Sequence, residues 1–496
     1  MINEAHYLLL GVASSHLLTP LLIFPATHLE NWGYATSLVK ALAEAIGSDK
    51  VADDPNVLGL YAKEPDGLSG PVEAVVFPES PNDVVAIASL AYRLEFPIYP
   101  QGSTSSLSGN AVPTRKGVVI SFERMDRVKE VDVVDSVAVV EPGVRIEELN
   151  LELAERGYMF PVDPASQSVA TIGGAIANGA GGMRGAKYGT MKDWVNSLEV
   201  VLVDREGTRL RLGCRTVKCR QGYDLTRLIV GSEGTLALVT EATLRLTPLP
   251  ETVVTALAFF DDINALASAY VDLKSQRVQP YIAEFMDAPT VELAAQGLDL
   301  PFEAKGNMFL VSLESTEESR DRNRRFLEGL MRSHGARDVI STSNESEAEE
   351  LFRLRRNLFP AQVAMFRKPG RPFQLFIEDI VVPPSRVPEA VRLLRGLDAK
   401  YGIRSSLGGH IGDGNLHPAI GFDPTDPISA KTALSWFNDV IDVALSLGGA
   451  ISAEHGIGVI KRESLVRAVG ERQLELMRAI KSVFDPKGLL NPGKLF

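Results

Sequence analysis

Three loops in the first half of the chain concentrate glycine with serine or threonine: "PQGSTSSLSGNAVP" from Pro100, "TIGGAIANGAGGMRG" from Thr171 and "GSEGTLALVTEA" from Gly231. Glycine lets backbone N–H groups approach phosphate oxygens, hydroxyls add donors, and successive amides of this kind form concave anion sites. One such loop is as readily a sharp turn as a ligand loop. Three in one domain-sized stretch point to a pyrophosphate. No Gly-x-Gly-x-x-Gly follows a first strand and opens a helix with an acidic residue beyond it, so a standard nicotinamide domain is not expected. A formal Gly-x-x-x-x-Gly-Lys runs from Gly488 to Lys494, but Leu495 stands where Ser or Thr is required and the chain ends at Phe496. No helix remains to receive a phosphate, which excludes a nucleoside-triphosphatase reading.

The chain has 496 residues, more than one hydrophobic core usually serves, so two or three domains are expected. A formal net charge of −12 argues against a nucleic-acid partner, whose phosphates need clustered Lys and Arg. Cys214 and Cys219 are too few for a disulfide framework or a cysteine-built metal site and are expected as reduced thiols. Tyr7 to Ala26 is apolar and about long enough to span a bilayer, yet no Lys or Arg precedes Lys40. A secretory signal needs a basic start and a membrane helix usually has flanking cations, so neither is supported. For this leader a loose extension is favoured, with a packed segment and membrane contact left open.

Periodicity outlines the elements. Ala35 to Ala45 is helical, and "GPVEAVVFPESPNDVVAIASLAYRLEFPIYPQG" reads as strand, turn, helix and strand, with the Ser80 to Asp83 cluster capping the helix. Gly117 to Pro142 alternates short apolar runs with charged turns, as strands of a mixed sheet. A helix at "RIEELNLELAERG" and further strands follow, and Pro248 and Pro250 mark a boundary. A second alternation of strand and helix starts at "TALAFFDDINALASAYVDL".

Histidines are unevenly spread: His6, His16 and His28 in the leader, His334 alone, and His410, His417 and His455 in two short motifs. A lone histidine is usually a satisfied structural residue. His410 and His417, however, flank the Gly-containing reversal of "GGHIGDGNLHP", which can fold both toward one point, and Glu454 and His455 adjoin in "SAEHGIG". Two imidazoles and a carboxylate with an open position make a divalent-cation site of the zinc type. His410, His417 and Glu454 are therefore the expected metal ligands. Such an ion would act as a Lewis acid on a hydroxyl or carboxylate oxygen.

The order "VVFPES", "PIYPQGSTSSLSGNAVP", "DPASQSVATIGGAIANGAGG", "GSEGTLALVTEATLRL" resembles the FAD-binding domain of the vanillyl-alcohol oxidase flavoprotein superfamily. The later "GHIGDGNLHP", "SAEHGIGVIK" and "NPGK" resemble its branch of FAD-linked 2-hydroxy acid dehydrogenases, and together the motifs cover about Val72 to Phe496. The resemblance implies an α+β fold: an N-terminal extension and first helix over 1–49, a two-subdomain FAD-binding domain over 50–250, a substrate cap with an antiparallel sheet over 251–455, and a segment over 456–496 returning to the FAD domain. It implies non-covalent FAD, with Gly102, Ser103, Thr104, Ser105, Ser106, Gly109 and Asn110 around the pyrophosphate. Asp163, Thr171, Gly173, Gly174, Asn178 and Gly182 would contact adenosine and flavin, and Gly231, Glu233 and Gly234 would complete the pocket.

By the same resemblance His455 is the general base, Asn415 supports substrate or metal, and Arg355 binds the substrate carboxylate. Lys461 would add charge near the flavin. The sequence departs from the family where Gln101 to Ser106 replaces the usual Arg-Gly-Gly-Gly-Thr-Ser. No His or Cys stands in that loop for a covalent flavin link. In the hydroxyglutarate branch a lysine precedes the aligned Asp379 and Pro383, and here Ile377 takes its place. A D-2-hydroxy acid with a short aliphatic tail, D-lactate or D-2-hydroxybutyrate, is thus expected over D-2-hydroxyglutarate, unless Arg367, Lys368 and Arg371 supply the missing charge. Rival readings are a complex-bound subunit like that of glycolate oxidase and a non-redox alkyl-glycerone-phosphate synthase type. The electron acceptor stays open among quinone, cytochrome and partner flavoprotein. The expected location is cytoplasmic, with contact at the inner membrane face and a homodimer left open.

Overall fold

A computed structural model describes residues 32–496 except 66, 368, 369 and 371. The leader histidines, Lys368 and Arg371 lie outside the described residues.

The first half of the chain builds two larger sheets and a two-stranded ribbon of Tyr158–Met159 with Thr247–Pro248. In the first, Val72–Val76, Gly117–Ser121 and Ile98–Gln101 run parallel, with Val51–Ala52 antiparallel at the edge. The helix Pro81–Leu94 crosses between Val72–Val76 and Ile98–Gln101; Ser80 accepts the Asp83 amide, Pro81 opens the first turn, and Val84, Ile87, Ala88 and Ala91 are buried. The second sheet, entirely antiparallel, has the order Val128–Asp132, Val137–Val140, Leu238–Arg245, Val195–Val201, Arg209–Gly213. The strands expected in one mixed sheet over Gly117 to Pro142 are thus divided. The turn in which Met125 N donates to the Phe122 carbonyl redirects the backbone between them. Cys214 and Cys219, expected as free thiols, form a disulfide. The turn after Arg209–Gly213 brings their Cα atoms to 5.8 Å, a proximity that a count of cysteines does not reveal.

After Arg245 the chain passes into one antiparallel sheet of eight strands. Its order is Asp338–Thr342, Thr252–Phe260, Asn307–Ser315, Ile282–Met286, Ser406–His410, Asn415–Phe422, Gln374–Ile377, with Ile380–Val381 also paired to Asn415–Phe422. Period-two alternation gives the sheet two different faces. Phe285, Leu407 and Leu416 point to a core shared with the helices Ile263–Ser275, Arg320–Ser333, Val387–Tyr401 and Pro427–Ser446, where Trp436 is fully buried. On the other face, Leu257, Met286 and Leu310 meet the helices Glu345–Arg356 and Leu358–Phe366.

The last residues return to the first sheet. Ile98 N donates to the Leu489 carbonyl at 2.9 Å and Asn491 N to the Ile98 carbonyl at 2.8 Å. Asp485 holds this return in place: its buried carboxylate accepts Leu489 N at 3.1 Å and Leu490 N at 2.8 Å and pairs with Lys481. Asp485→Ala removes the acceptor of two buried amides and the counter-charge of Lys481, whose ammonium keeps only the Thr235 and Leu490 carbonyls, and should cost about 3–5 kcal/mol. Urea unfolding followed by circular dichroism checks this, the expected result being a lower midpoint at unchanged slope.

Candidate active site

The Gly-rich loops line one cleft. Gly102, Ser103, Thr104, Ser105, Ser106 and Asn110 form one wall, Thr171, Gly173, Gly174 and Asn178 a second, and Glu233 and Gly234 a third, while Glu454, His455 and Asn491 reach it from the other half of the chain. Thr171 caps the helix Ile172–Asn178 by accepting Gly174 N, and a Cβ on Gly102 would lie 2.2 Å from the Thr171 hydroxyl. Glu64, which sequence reasoning missed, organises the first loop: it accepts Gly109 N at 2.8 Å, Ala111 N at 2.7 Å and the Ser106 hydroxyl at 3.0 Å. Gln101, in place of the family arginine, donates to the carbonyls of Tyr61 and Ala111, both at 2.9 Å. Buried polar atoms of the lining residues Gln101, Asn110, His455 and Asn491 have no protein partner among the described residues. These are the donors and acceptors a polar cofactor would satisfy.

Four of the expected cofactor residues stand behind this wall instead. Gly109, at φ +73°, packs against Val459 and Leu68. Asp163 is buried and accepts Arg184 N at 3.0 Å; burial pushes its pKa up, to about 7, against the opposing pull of Arg184. A Cβ on Gly182 would lie 2.2 Å from the Asp163 carbonyl. Gly231 N donates to the Ile176 carbonyl at 2.8 Å and braces the helix Ile172–Asn178.

The seven-residue interval between His410 and His417 is a hairpin interval. His410 pairs with Asn415 and His417 with Gly408, so both imidazoles leave the same face of the sheet, opposite Leu407 and Leu416. On the neighbouring strand Glu284 shares this face. His410 Nδ1 lies 2.5 Å from Glu284 Oε1, while Arg355 Nε donates to Glu284 Oε2 at 2.8 Å. His417 Nδ1 donates to the Glu378 carbonyl at 3.2 Å. Both Nε2 atoms then face Glu454, whose Oε1 lies 3.6 Å from that of His410 and 3.4 Å from that of His417; His455 Nε2 is 3.8 Å away.

Donors held at about 2.0–2.1 Å around a tetrahedral zinc lie roughly 3.3–3.4 Å apart, and a carboxylate or carbonyl behind each imidazole is the usual support for a metal ligand. Glu454 meets the spacing toward both imidazoles, and His410 and His417 each have the support behind the ring, so these residues could hold a divalent ion. Burial opposes protonation of His410, and the carboxylates of Glu284 and Glu454 outweigh it, holding the pKa well above the ordinary imidazole value. Asp379, His417, Glu454 and His455 also bring one donor atom each within 4.8 Å of one another. Asp379, however, is already occupied with hydrogen bonds.

Asp379 Oδ2 accepts the Ser452 hydroxyl at 2.7 Å and the amides of Ala453, Glu454 and His455 at 2.9, 3.0 and 2.8 Å, while Oδ1 accepts Asn415 Nδ2 at 2.9 Å. Asn415, expected at the substrate or metal, thus has its amide nitrogen turned to Asp379 and the Ile380 carbonyl. Gly456 N donates to the Ser452 hydroxyl at 2.9 Å. Glu233 accepts Ile457 N at 2.6 Å and Gly458 N at 2.8 Å. Lys461 is buried against Glu378 at 3.0 Å and the Ile451 carbonyl, away from the cleft wall. Glu284 was legible only as a charge inside the apolar run "YIAEFM".

Residues 249–495 match the family model of FAD linked oxidases, C-terminal domain, and residues 72–213 that of an FAD binding domain. The glycolate oxidase subunit GlcD of Bacillus subtilis is 35% identical over 449 residues, 90% of this chain and 93% of that protein. The chain belongs to the FAD-linked oxidases. The D-lactate dehydrogenase of Archaeoglobus fulgidus is also 35% identical, over 428 residues covering 85% of this chain and 90% of that one. Among solved structures, p-cresol methylhydroxylase has a TM-score of 0.76 at 18% identity, covering 94% of this chain and 97% of its own. An alkyldihydroxyacetonephosphate synthase has 0.71 at 19%, covering 97% and 89%. These two likenesses are of fold alone. They agree with the motif resemblance in giving this FAD-linked oxidase the vanillyl-alcohol oxidase type of FAD domain.

A side chain at Gly102 would displace the Thr171 cap and fill the cleft between two loops. Gly102→Val should therefore yield apoprotein, read as loss of the flavin absorbance near the visible maximum after gel filtration. A fully yellow variant would refute the placement of this loop at the cofactor.

Proposed function

We propose that this FAD-linked oxidase oxidises a D-2-hydroxy acid to the 2-oxo acid, with D-lactate as the preferred substrate. One observation carries the reading: Glu454 and His455 line the FAD cleft and also belong to the imidazole cluster with His410 and His417. FAD in the cleft supplies a two-electron acceptor. A divalent ion on His410, His417 and Glu454 supplies Lewis-acid polarisation of the substrate oxygens.

The protein's own residues do the rest. His455 Nδ1 is buried with no protein partner among the described residues and is free to take the hydroxyl proton. Burial holds the His455 pKa below the ordinary imidazole value, so the ring is neutral and able to accept. Arg355 is fixed through Nε by Glu284, which leaves its terminal nitrogens for a bidentate contact with the substrate carboxylate. Arg353 and Arg356 on the same helix pair outward with Glu350 and Glu349. Proton and hydride equivalent thus leave the same carbinol toward two fixed points.

Ile377 limits the length of the substrate tail. It pairs with Ala419, two residues beyond His417 on the same strand, so its side chain shares the histidine face. A second substrate carboxylate beside this apolar side chain would go unpaired, at a cost of several kcal/mol. Arg367 is exposed. The naming of the Bacillus relative as a subunit supports a second reading, in which the protein works within a glycolate-oxidising complex. Turnover of D-lactate by the purified single chain with an artificial dye counts against it, and reduction of the bound flavin by substrate counts against a non-redox transferase.

His417→Ala should remove stoichiometric metal and at least 99% of turnover while leaving FAD bound, by elemental analysis and absorbance. Metal-free wild type with full activity would overturn the ligand assignment. Wild type should also favour D-lactate over D-2-hydroxyglutarate in kcat/KM, and Ile377→Lys should move that ratio at least tenfold toward the dicarboxylate. A wild type that prefers the dicarboxylate refutes the substrate reading.

A further inference from the structure

The segment that carries Glu454 and His455 is suspended between two carboxylates from different halves of the molecule. Asp379, from the eight-stranded sheet, takes the amides of Ala453, Glu454 and His455; the Ser452 hydroxyl takes that of Gly456; Glu233, from the third Gly-rich loop, takes those of Ile457 and Gly458. Six consecutive amides therefore each have a side-chain acceptor. The fit on the FAD side is close. A Cβ on Gly456 would lie 2.7 Å from Asn110 Nδ2 and 2.8 Å from Glu233 Oε1, and one on Gly458 would lie 1.9 Å from the Ser108 carbonyl. Val459 N donates to that same carbonyl at 2.9 Å. Glu233 itself is held at φ +53°, with its amide on the Ala177 carbonyl at 2.8 Å and its own carbonyl accepting Asn491 Nδ2 at 2.7 Å.

We propose that Glu233 is a positioning residue for the reaction, not an FAD ligand: its buried carboxylate clamps the amides just after His455 and so sets that imidazole against the cofactor cleft. Each carboxylate oxygen accepts one amide of the clamp, so the short contacts of this side chain run to the segment after His455 although the residue borders the cleft. The cofactor loop Ser108–Asn110, the clamp and the base thus form one mechanical unit, in which seating of the loop and seating of His455 are the same event. The isosteric Glu233→Gln keeps the volume but opposes an amide N–H₂ to one of two backbone N–H donors. This inference rests on His455 acting as the base.

The test compares wild type, Glu233→Gln, His455→Ala and the double variant by stopped-flow reduction of the bound flavin with D-lactate, alongside FAD content and backbone amide exchange by mass spectrometry. Glu233→Gln should keep FAD and metal at wild-type stoichiometry and KM within about threefold. Its maximal reduction rate should fall at least thirtyfold, and exchange across 456–459 should speed at least tenfold. In the double variant the loss should be within threefold of that of His455→Ala alone, because the clamp acts through the imidazole. A wild-type reduction rate in Glu233→Gln overturns the proposal, as does loss of FAD with unchanged exchange across 456–459. If Glu233→Gln does not fold, exchange in the wild-type holoenzyme decides: slow amides at 457 and 458 support the clamp, and fast ones overturn it. Full flavin reduction in His455→Ala would instead refute the base assignment, with the exchange readout still judging the clamp.

Discussion

A fully buried carboxylate, Asp379, is the point on which the candidate site depends. Burial alone would raise its pKa; neighbouring positive charge, the Lys461 ammonium included, outweighs this and holds it at about 2. An ionised carboxylate is tolerable there only because hydroxyl, amide and side-chain donors surround it. Meeting that requirement forces the backbone after Ser452 to curl with successive amides inward. The same curl turns the side chains of Glu454 and His455 outward, to the imidazoles and the cleft. Asn415 is drawn in for the same reason, as a fifth donor rather than as a free functional group.

The site lies where the two halves of the molecule meet, and its parts come from separate layers. The cleft belongs to loops between strands of the four- and five-stranded sheets; the histidines are buried on the face of the eight-stranded sheet that also packs the helices Glu345–Arg356 and Leu358–Phe366. Neither half alone places the Gly-rich cleft beside the cluster of imidazoles and carboxylate. The C-terminal return, shaped by Asp485 and Lys481 and hydrogen-bonded to the strand Ile98–Gln101, ties the end of the chain back to the first sheet.

Relatives at similar identity carry the names of a glycolate oxidase subunit and a D-lactate dehydrogenase, and solved structures of the same fold perform other chemistry. Fold therefore narrows the cofactor and not the substrate. The proposed substrate preference rests on local features: the apolar Ile377 on the face of His417, and the inward-facing guanidinium of Arg355 on the helix Glu345–Arg356. The binary pattern of that helix hides this, because Arg353, Arg355 and Arg356 look alike in sequence and only the helix rotation turns Arg355 inward.

By itself the sequence determined whatever depends on short-range chemistry. The Ser80 cap, the βαβ unit after Val72, the Gly-rich loops and the hairpin spacing of His410 and His417 all follow from residues within a few positions of one another, where steric limits and period-two alternation act locally. Only the tertiary structure decided the partners that arrive from far along the sequence: Glu284 behind His410, Glu64 beneath the first loop, and Asp379 and Glu233 around the His455 segment. It also closed the short turn that pairs Cys214 with Cys219. A buried carboxylate carries no local signature of what it will bind. Its partner is chosen by the desolvation cost that packing imposes, and that cost does not exist until the sheets and loops have closed around it.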